Sequence, residues 1–298
     1  MTSPQLEKSD YGEISLKRNP TSPRTLFGLA MSGLAGLFTL MAIVPLFIIL
    51  SYLITKGISS LSAAVFTELP PPPLVDGGGF GNAILGTVLM VGIGALISIP
   101  LGIMAAIYLS EFNEGKAAEW IRFATNVLSG VPSIIVGVFA YGVIVLTFKS
   151  YSAWAGGFTL SILMLPIIVR TTDESLKLVP QDVRQASVGV GANQYQTVLQ
   201  VVLPAALPAI ITGITLAIAR AAGETAPLLF TALFTQFCPN WDALLAEPTA
   251  SLAVLVYNFA IVPFKNQQEL AWGAAFILVI LVLFTSVLSR VATAKRTY

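Results

Sequence analysis

The feature that most constrains this chain is a series of six long apolar stretches. Each is long enough to cross a hydrocarbon core of about 30 Å, which takes roughly 20 helical residues. Unpaired backbone groups cannot face lipid, and the stretches are too long for barrel strands, so each is predicted to be a helix. The stretches run approximately over 26–54, 82–109, 121–148, 153–169, 205–232 and 270–292. The predicted fold class is therefore an all-α integral membrane protein with six transmembrane helices.

The composition excludes most classes of soluble protein. Of the 298 residues, 55% are hydrophobic and 10% are charged, whereas a soluble domain usually has about a quarter charged residues. The formal net charge is +1, which gives no reason to expect a nucleic-acid partner. The chain has no histidine, and Cys238 is its only cysteine. An internal disulfide and a thiolate zinc site are therefore excluded, and we expect no metal and no cofactor.

The distribution of Lys and Arg predicts how the helices are oriented. If the N-terminus is cytoplasmic, the outer loops carry only Lys56, Lys149 and Lys265, and nearly all other basic residues lie on inner segments. This arrangement obeys the positive-inside rule, and the opposite orientation inverts it. We therefore predict that both termini are cytoplasmic. The predicted organisation is an N-terminal tail at 1–25, a six-helix membrane domain at 26–292 and a C-terminal tail at 293–298.

The longest inner connection, 170–204, carries the most specific motif in the chain. It contains Gln185-Ala186-Ser187, then Gly191, then Leu203-Pro204. The segment around Gln185 is predicted to form a short helix at the membrane surface. Gly191 is predicted to allow a turn with positive φ, and Pro204 to open the next helix, where its missing N–H is not needed.

The spacing of this motif resembles the EAA loop of ABC importer permeases, although glutamine and serine replace the first and third letters. The resemblance implies that these residues form a coupling helix that docks in a groove on an ATP-hydrolysing subunit. The alternative is an ordinary cytoplasmic loop between two helices. The chain lacks the sequence G-x-x-x-x-G-K-[ST], so we predict that ATP is hydrolysed by another subunit.

Further segments resemble the PstA branch of these permeases, which serves phosphate import. They are 77–84, 165–172, 268–272 and Arg220-Ala221-Ala222-Gly223-Glu224-Thr225-Ala226-Pro227. The resemblance implies the type I ABC importer permease fold in the inner membrane, surrounded by lipid. It also implies a PstC-type second permease subunit, a PstB-type ATPase dimer, a PstS-type phosphate-binding protein and inorganic phosphate as the substrate.

Two charged residues in the fifth apolar stretch are candidates for the translocation path. Arg220 is predicted to lie near the middle of that helix, and Glu224 follows four residues later on the same face. A charge inside a membrane needs a partner or a water-filled path. The pair is therefore either an ion pair that holds the bundle together or part of an anion path in which the guanidinium recognises phosphate.

Arg170 and Asp173 are predicted to form a second pair, at i and i+3 near the inner end of the fourth helix. Arg170 could instead extend to the interface without any role in transport. In the PstA branch an arginine and an acid stand at these positions, and this resemblance implies that both residues belong to the path.

Three other functional classes compete with an importer subunit. A secondary transporter would need coupling-ion chemistry and usually shows inverted repeats, which six helices with one long inner loop do not indicate. A channel would leave the EAA-like loop without a purpose. A membrane enzyme would need a nucleophile or a metal-binding cluster, and the sequence offers neither.

Overall fold

A computed structural model describes residues 22–112, 115–239 and 246–294, and every regular element in these ranges is helical. This confirms the prediction of an all-α membrane protein. Most of the predicted tail at 1–25 and residues 295–298 lie outside the described ranges. In chain order the helices are α1 (Pro23–Ser59), α2 (Ala64–Thr67), α3 (Gly81–Glu111), α4 (Lys116–Gly130), α5 (Ser133–Phe148), α6 (Ala153–Lys177), α7 (Gln181–Gly189), α8 (Gln194–Ala222), α9 (Ala226–Thr231), α10 (Leu252–Ile261) and α11 (Lys265–Ala294).

Five of these helices, α1, α3, α6, α8 and α11, are long and apolar enough to cross a membrane, and the bent pair α4–α5 would provide a sixth span. All lie on the predicted stretches. Several extend beyond them, because polar residues continue a helix once it leaves the hydrocarbon. Helix α6, for example, continues to Lys177 rather than ending near residue 169.

The third stretch does not form the single straight helix that was predicted over 121–148. Helices α4 and α5 are bent by 106° relative to each other. Val131 between them is extended, with φ −74° and ψ 128°. Pro132 follows, and a proline disfavours the helical conformation of the residue before it and donates no N–H.

The fifth stretch also differs from the prediction of one helix over 205–232. Helix α8 ends at Ala222, and the six-residue helix α9 begins at Ala226 after a break. At its other end, α8 begins at Gln194, so Pro204 does not open the helix. A π-helical turn, Thr197–Val202, precedes Pro204. Wider turns of this kind accommodate a lost backbone hydrogen bond within a continuous helix.

The core of residues 53–298 is formed where α3, α6 and α8 pack together. Its members include Met90 of α3, Leu160, Met164 and Ile168 of α6 and Ala217 of α8, all fully buried or nearly so. The described residues from Ser22 to Tyr52 belong to a separate unit. The packing of α6 between α3 and α8 fixes the positions from which the candidate site residues project.

The connection between the fifth and sixth predicted stretches contains helix α10. Its residues Leu252, Val254 and Leu255 are buried, and the hydroxyl of Ser251 accepts a hydrogen bond from the N–H of Val254 at 3.3 Å. Ten residues are too few to span a membrane, so the length of the apolar stretches does not indicate this helix.

Candidate functional site

The predicted short helix of the coupling segment is present as α7. Gln185 and Ala186 are exposed on it, whereas Ser187 is buried. The hydroxyls of Ser187 and Thr197 share a hydrogen bond of 3.0 Å, which fixes α7 to the first turns of α8. Helix α7 therefore has one side that is packed against α8 and one exposed side that carries Gln185 and Ala186.

The turn after α7 depends on Gly191, whose φ is +93° as predicted. The N–H of Ala192 donates to the carbonyl of Ser187 at 3.2 Å, which closes the turn. Asn193 then caps α8, because its side chain accepts from the N–H of Gln196 at 2.9 Å while the Gln196 side chain accepts from the N–H of Asn193 at 2.9 Å. Two reciprocal bonds of this kind define where a helix begins.

The last two residues of the predicted coupling motif lie inside α8. Leu203 is partly buried and packs against the cluster that contains Leu176, Val202 and Ile210. Pro204 is exposed. These two residues shape the first part of α8 and do not belong to the exposed side of α7.

Arg220 and Glu224 lie together, but at a helix break rather than in the middle of a helix as predicted. Arg220 is in the last turn of α8, and Glu224 lies between α8 and α9. The Nε of Arg220 is 3.6 Å from Oε1 of Glu224, and their side chains are 61% and 15% exposed. The pair is therefore an ion pair with a largely accessible guanidinium and a largely covered carboxylate.

The break at 223–225 is itself informative. The N–H groups of Gly223 and Glu224 bond back to Arg220 and Ala221 at 3.1 and 3.2 Å, so the chain closes α8 before turning. Non-helical backbone at membrane depth is tolerated only where protein covers it or where it lines a water-filled cavity. An exposed arginine next to such a break indicates a polar path or a partner surface.

Arg170 and Asp173 do not pair with each other, so the predicted i, i+3 pair is wrong. The Nε of Arg170 donates to Oε1 of Glu174 at 3.1 Å, and Nζ of Lys177 donates to Oδ2 of Asp173 at 2.5 Å. Both pairs have the i, i+4 spacing, which also places side chains on one helix face. Sequence spacing alone did not distinguish these partners.

The four charged residues of α6 line one side of a cavity of about 240 Å³ between α4 and α6. Arg122 of α4 lines the same cavity, and its Nη2 donates to the carbonyl of Leu109 at 3.2 Å. The lining therefore holds three cations and two acids. Arg220 and Glu224 are not among its residues.

The structure offers no metal site among the residues that it describes, since no group of three or more Asp, Glu or Cys side chains is placed to hold an ion. The chemistry of the candidate site is therefore that of guanidinium, ammonium and carboxylate groups. Such groups bind anions through charge-assisted hydrogen bonds.

Comparison with known families decides the relationship. Residues 98–296 match the family described as "Binding-protein-dependent transport system inner membrane component". The match covers more than half of the chain and includes α6, α7 and α8. The chain belongs to this family. It is a multi-pass inner-membrane protein.

Curated relatives within the family are named PstA. The "Phosphate transport system permease protein PstA" of Yersinia pestis is 43% identical over 244 residues, which are 82% of each chain. Its namesake in Haemophilus influenzae is 41% identical over 261 residues, 87% of this chain and 91% of the relative. A "Probable phosphate transport system permease protein PstA" of Methanocaldococcus jannaschii is 31% identical over 252 residues, 84% of this chain and 88% of the relative.

Solved structures confirm the predicted type I ABC importer permease fold. A chain of the inward-facing MetNI methionine ABC transporter has a TM-score of 0.57 at 20% identity. The match covers 73% of this chain and 94% of the transporter chain. A chain of a bacterial alginate ABC transporter, solved with a periplasmic protein that carries an alginate pentasaccharide, has a TM-score of 0.61 at 12% identity. It covers 92% of this chain and 99% of its own.

Sequence reasoning missed a largely covered ion pair in this permease. The Nη1 of Arg184 in α7 contacts Oε2 of Glu111, the last residue of α3. The two residues are 73 positions apart, so no periodicity links them. The only sequence signal is an acid at the end of one apolar stretch and a base in the coupling motif.

Proposed function

We propose that this chain is the membrane permease subunit of an ATP-driven phosphate importer and forms half of its translocation path. The observation that carries the proposal is the match to PstA phosphate permeases over more than four fifths of the chain. The exposed guanidinium of Arg220 at the break after α8 supports it, because this group suits an oxyanion.

Arg220 and Glu224 divide the work of recognition in this proposal. The planar guanidinium makes charge-assisted, bidentate bonds to phosphate oxygens and replaces part of the hydration shell that the anion loses. Glu224, 3.6 Å away, accepts a hydrogen bond from a P–OH group and holds Arg220 when no anion is bound. A carboxylate that competes for the same guanidinium also keeps binding weak enough for release.

The cavity between α4 and α6 forms a second part of the path. Arg170 and Asp173 belong to it, as proposed from the sequence, and Arg122, Glu174 and Lys177 complete its charged lining. Three cations against two acids leave an excess of positive charge, which favours an anion that has passed the first pair.

Helix α7 couples this path to ATP hydrolysis, which is performed by another subunit. Its exposed residues Gln185 and Ala186 contact the ATPase, while Ser187 and Gly191 hold the helix in position. A PstC-type permease subunit completes the path, a PstB-type ATPase dimer binds on the cytoplasmic side, and a PstS-type protein delivers phosphate from outside. ATP binding then shifts the complex between inward and outward openings.

Uptake of labelled phosphate by cells tests the proposal. In a host without its other phosphate carriers, deleting the gene for this chain should abolish uptake, and a plasmid copy should restore it. Sulfate uptake is the control and should not change. Undiminished phosphate uptake in the deletion strain would contradict the proposal.

A further inference from the structure

The junction between α7 and the ends of two long helices centres on the ion pair of Glu111 and Arg184. The side chain of Glu111 is 8% exposed and that of Arg184 is 14% exposed. Both charges are therefore largely withdrawn from water. Removing one partner of a largely covered pair destabilises the fold, because the other charge is left uncompensated.

Arg184 binds two helix ends at once. One nitrogen, Nη1, contacts the carboxylate of Glu111 at the end of α3, and Nη2 donates to the carbonyl of Leu176 at the end of α6 at 2.8 Å. The carbonyl end of a helix carries partial negative charge, so a cation is favoured at both places. A single guanidinium fork therefore joins α3, α6 and α7.

Glu111 receives a second contact from the segment that follows α7. The side-chain amide of Gln194 donates to the main-chain carbonyl of Glu111 at 2.8 Å. The hydroxyl of Ser110 donates to Oε1 of Glu111 at 3.0 Å, which orients the carboxylate. The side chain of Glu111 is thus bound to α7, and its main-chain carbonyl is bound to the first turn of α8.

We propose that Glu111 and Arg184 are positioning residues for energy coupling: they make α7 and the end of α3 move as one body. This inference rests on the proposed function, in which α7 receives the movement of the ATPase. Of the contacts in the described residues, this fork carries movement of α7 into α3 and α6 together, and α6 bears Arg170 and Asp173. Without it, α7 keeps its hydrogen bond to the start of α8, but it can follow the ATPase while α3 and α6 stay behind.

The first test compares phosphate import with ATP hydrolysis in vesicles that hold equal amounts of assembled complex. Glu111→Gln and Arg184→Gln should lower the phosphate imported per ATP at least about fivefold, the lower end of typical coupling effects. Glu269→Gln breaks the exposed pair of Lys265 and Glu269 and is the matched control, which should behave as wild type.

The outcomes separate the two proposals. An unchanged ratio in both variants overturns the linkage, and so does an equal fall in import and hydrolysis, because a merely structural pair would lower both together. A wild-type complex that hydrolyses ATP without importing phosphate contradicts the proposed function instead.

The second test does not depend on phosphate or on the folding of a charge variant. Spin labels replace Met104 of α3 and Val190 beside α7, which are 68% and 87% exposed, in a chain with Cys238 replaced. Pulsed electron resonance should give the same distance between the labels with and without ATP, while a second pair on Asp76 and Val190 reports the change of state. A Met104–Val190 distance that changes with ATP in the otherwise wild-type complex overturns the linkage.

Discussion

At the scale of single residues, the proposed recognition of phosphate depends on Arg220. Arg220→Gln should lower phosphate uptake by roughly tenfold or more, since a hydrogen bond to a charged group is worth about 1.5–3 kcal/mol. Arg220→Lys should retain little activity, because an ammonium keeps the charge and loses the fork. Glu224→Gln should have the mildest effect of the three, because its amide oxygen still accepts a hydrogen bond. Uptake per assembled complex in vesicles measures all three variants.

Lys265→Gln provides the control for this series, because Lys265 is a cation with a 90% exposed side chain in a weak surface pair. It should leave uptake unchanged. If Arg220→Gln transports as well as Lys265→Gln, the pair of Arg220 and Glu224 only stabilises the helix break, which is the structural alternative that the sequence left open.

At the scale of elements, the turn after α7 tests the coupling segment. Gly191→Val should lower the thermal midpoint of the complex and its uptake, because a β-branched residue resists a φ of +93°. The left-handed conformation costs about 1–2 kcal/mol for a residue with a Cβ. A Cβ at Gly191 would meet no atom within 4 Å, so the effect is one of backbone strain alone.

Gly189→Val is the matched control for this turn. A Cβ there also meets nothing within 4 Å, and Gly189 does not have a positive φ. Gly189→Val should therefore leave the thermal midpoint unchanged. Equal midpoints for the two variants would remove the evidence that the Gly191 turn determines the position of α7.

The contact between α5 and α9 gives a second test at this scale. A Cβ at Gly137 would lie 2.6 Å from the Cα of Pro227, whereas a Cβ at Gly142 would meet nothing within 4 Å. Gly137→Ala should therefore destabilise the complex by about 1–3 kcal/mol, the usual cost of overpacking, and Gly142→Ala should not. Thermal unfolding compares the two, and equal stability would show that α9 is not held against α5.

The apolar stretches predicted where helices lie, because burial in lipid depends on composition, but they did not predict the breaks. The break at Val131 and Pro132 and the one at Gly223 each have apolar helix residues on both sides, so the extent of an apolar stretch does not locate them. Proline and glycine marked these positions, yet both are tolerated in continuous membrane helices, as Pro100 within α3 illustrates.

The parts of the candidate site that depend on local sequence were predicted, and the contacts between distant residues were not. Local motifs indicated α7 and the turn at Gly191, since their conformations depend on neighbouring residues. Partner choice among long side chains was not predictable, because residues at i+3 and i+4 both lie on the helix face of Arg170. The structure shows that Arg170 contacts Glu174. The pair of Glu111 and Arg184 depends on the tertiary fold that brings the end of α3 next to Arg184 of α7, which no local pattern encodes.

At the scale of the whole molecule, the predicted orientation remains to be tested. Single cysteines at Asp76 and Val190, both exposed, should react with a membrane-impermeant thiol reagent from opposite sides when Cys238 is replaced. Asp76 should react in intact cells, and Val190 only after the membrane is opened. The reverse pattern would contradict the orientation derived from the positive-inside rule.

If this chain takes part in phosphate import driven by ATP, the purified complex should transport phosphate. The complex of this chain with its permease, ATPase and binding-protein partners is placed in vesicles, and labelled phosphate accumulated inside is measured with ATP at the ATPase side. Phosphate should accumulate only when ATP is hydrolysed and this chain is present. Arg220→Gln should reduce the accumulation about tenfold or more. Accumulation of phosphate without ATP, or ATP hydrolysis in the complete complex without any accumulation, would contradict the proposed function.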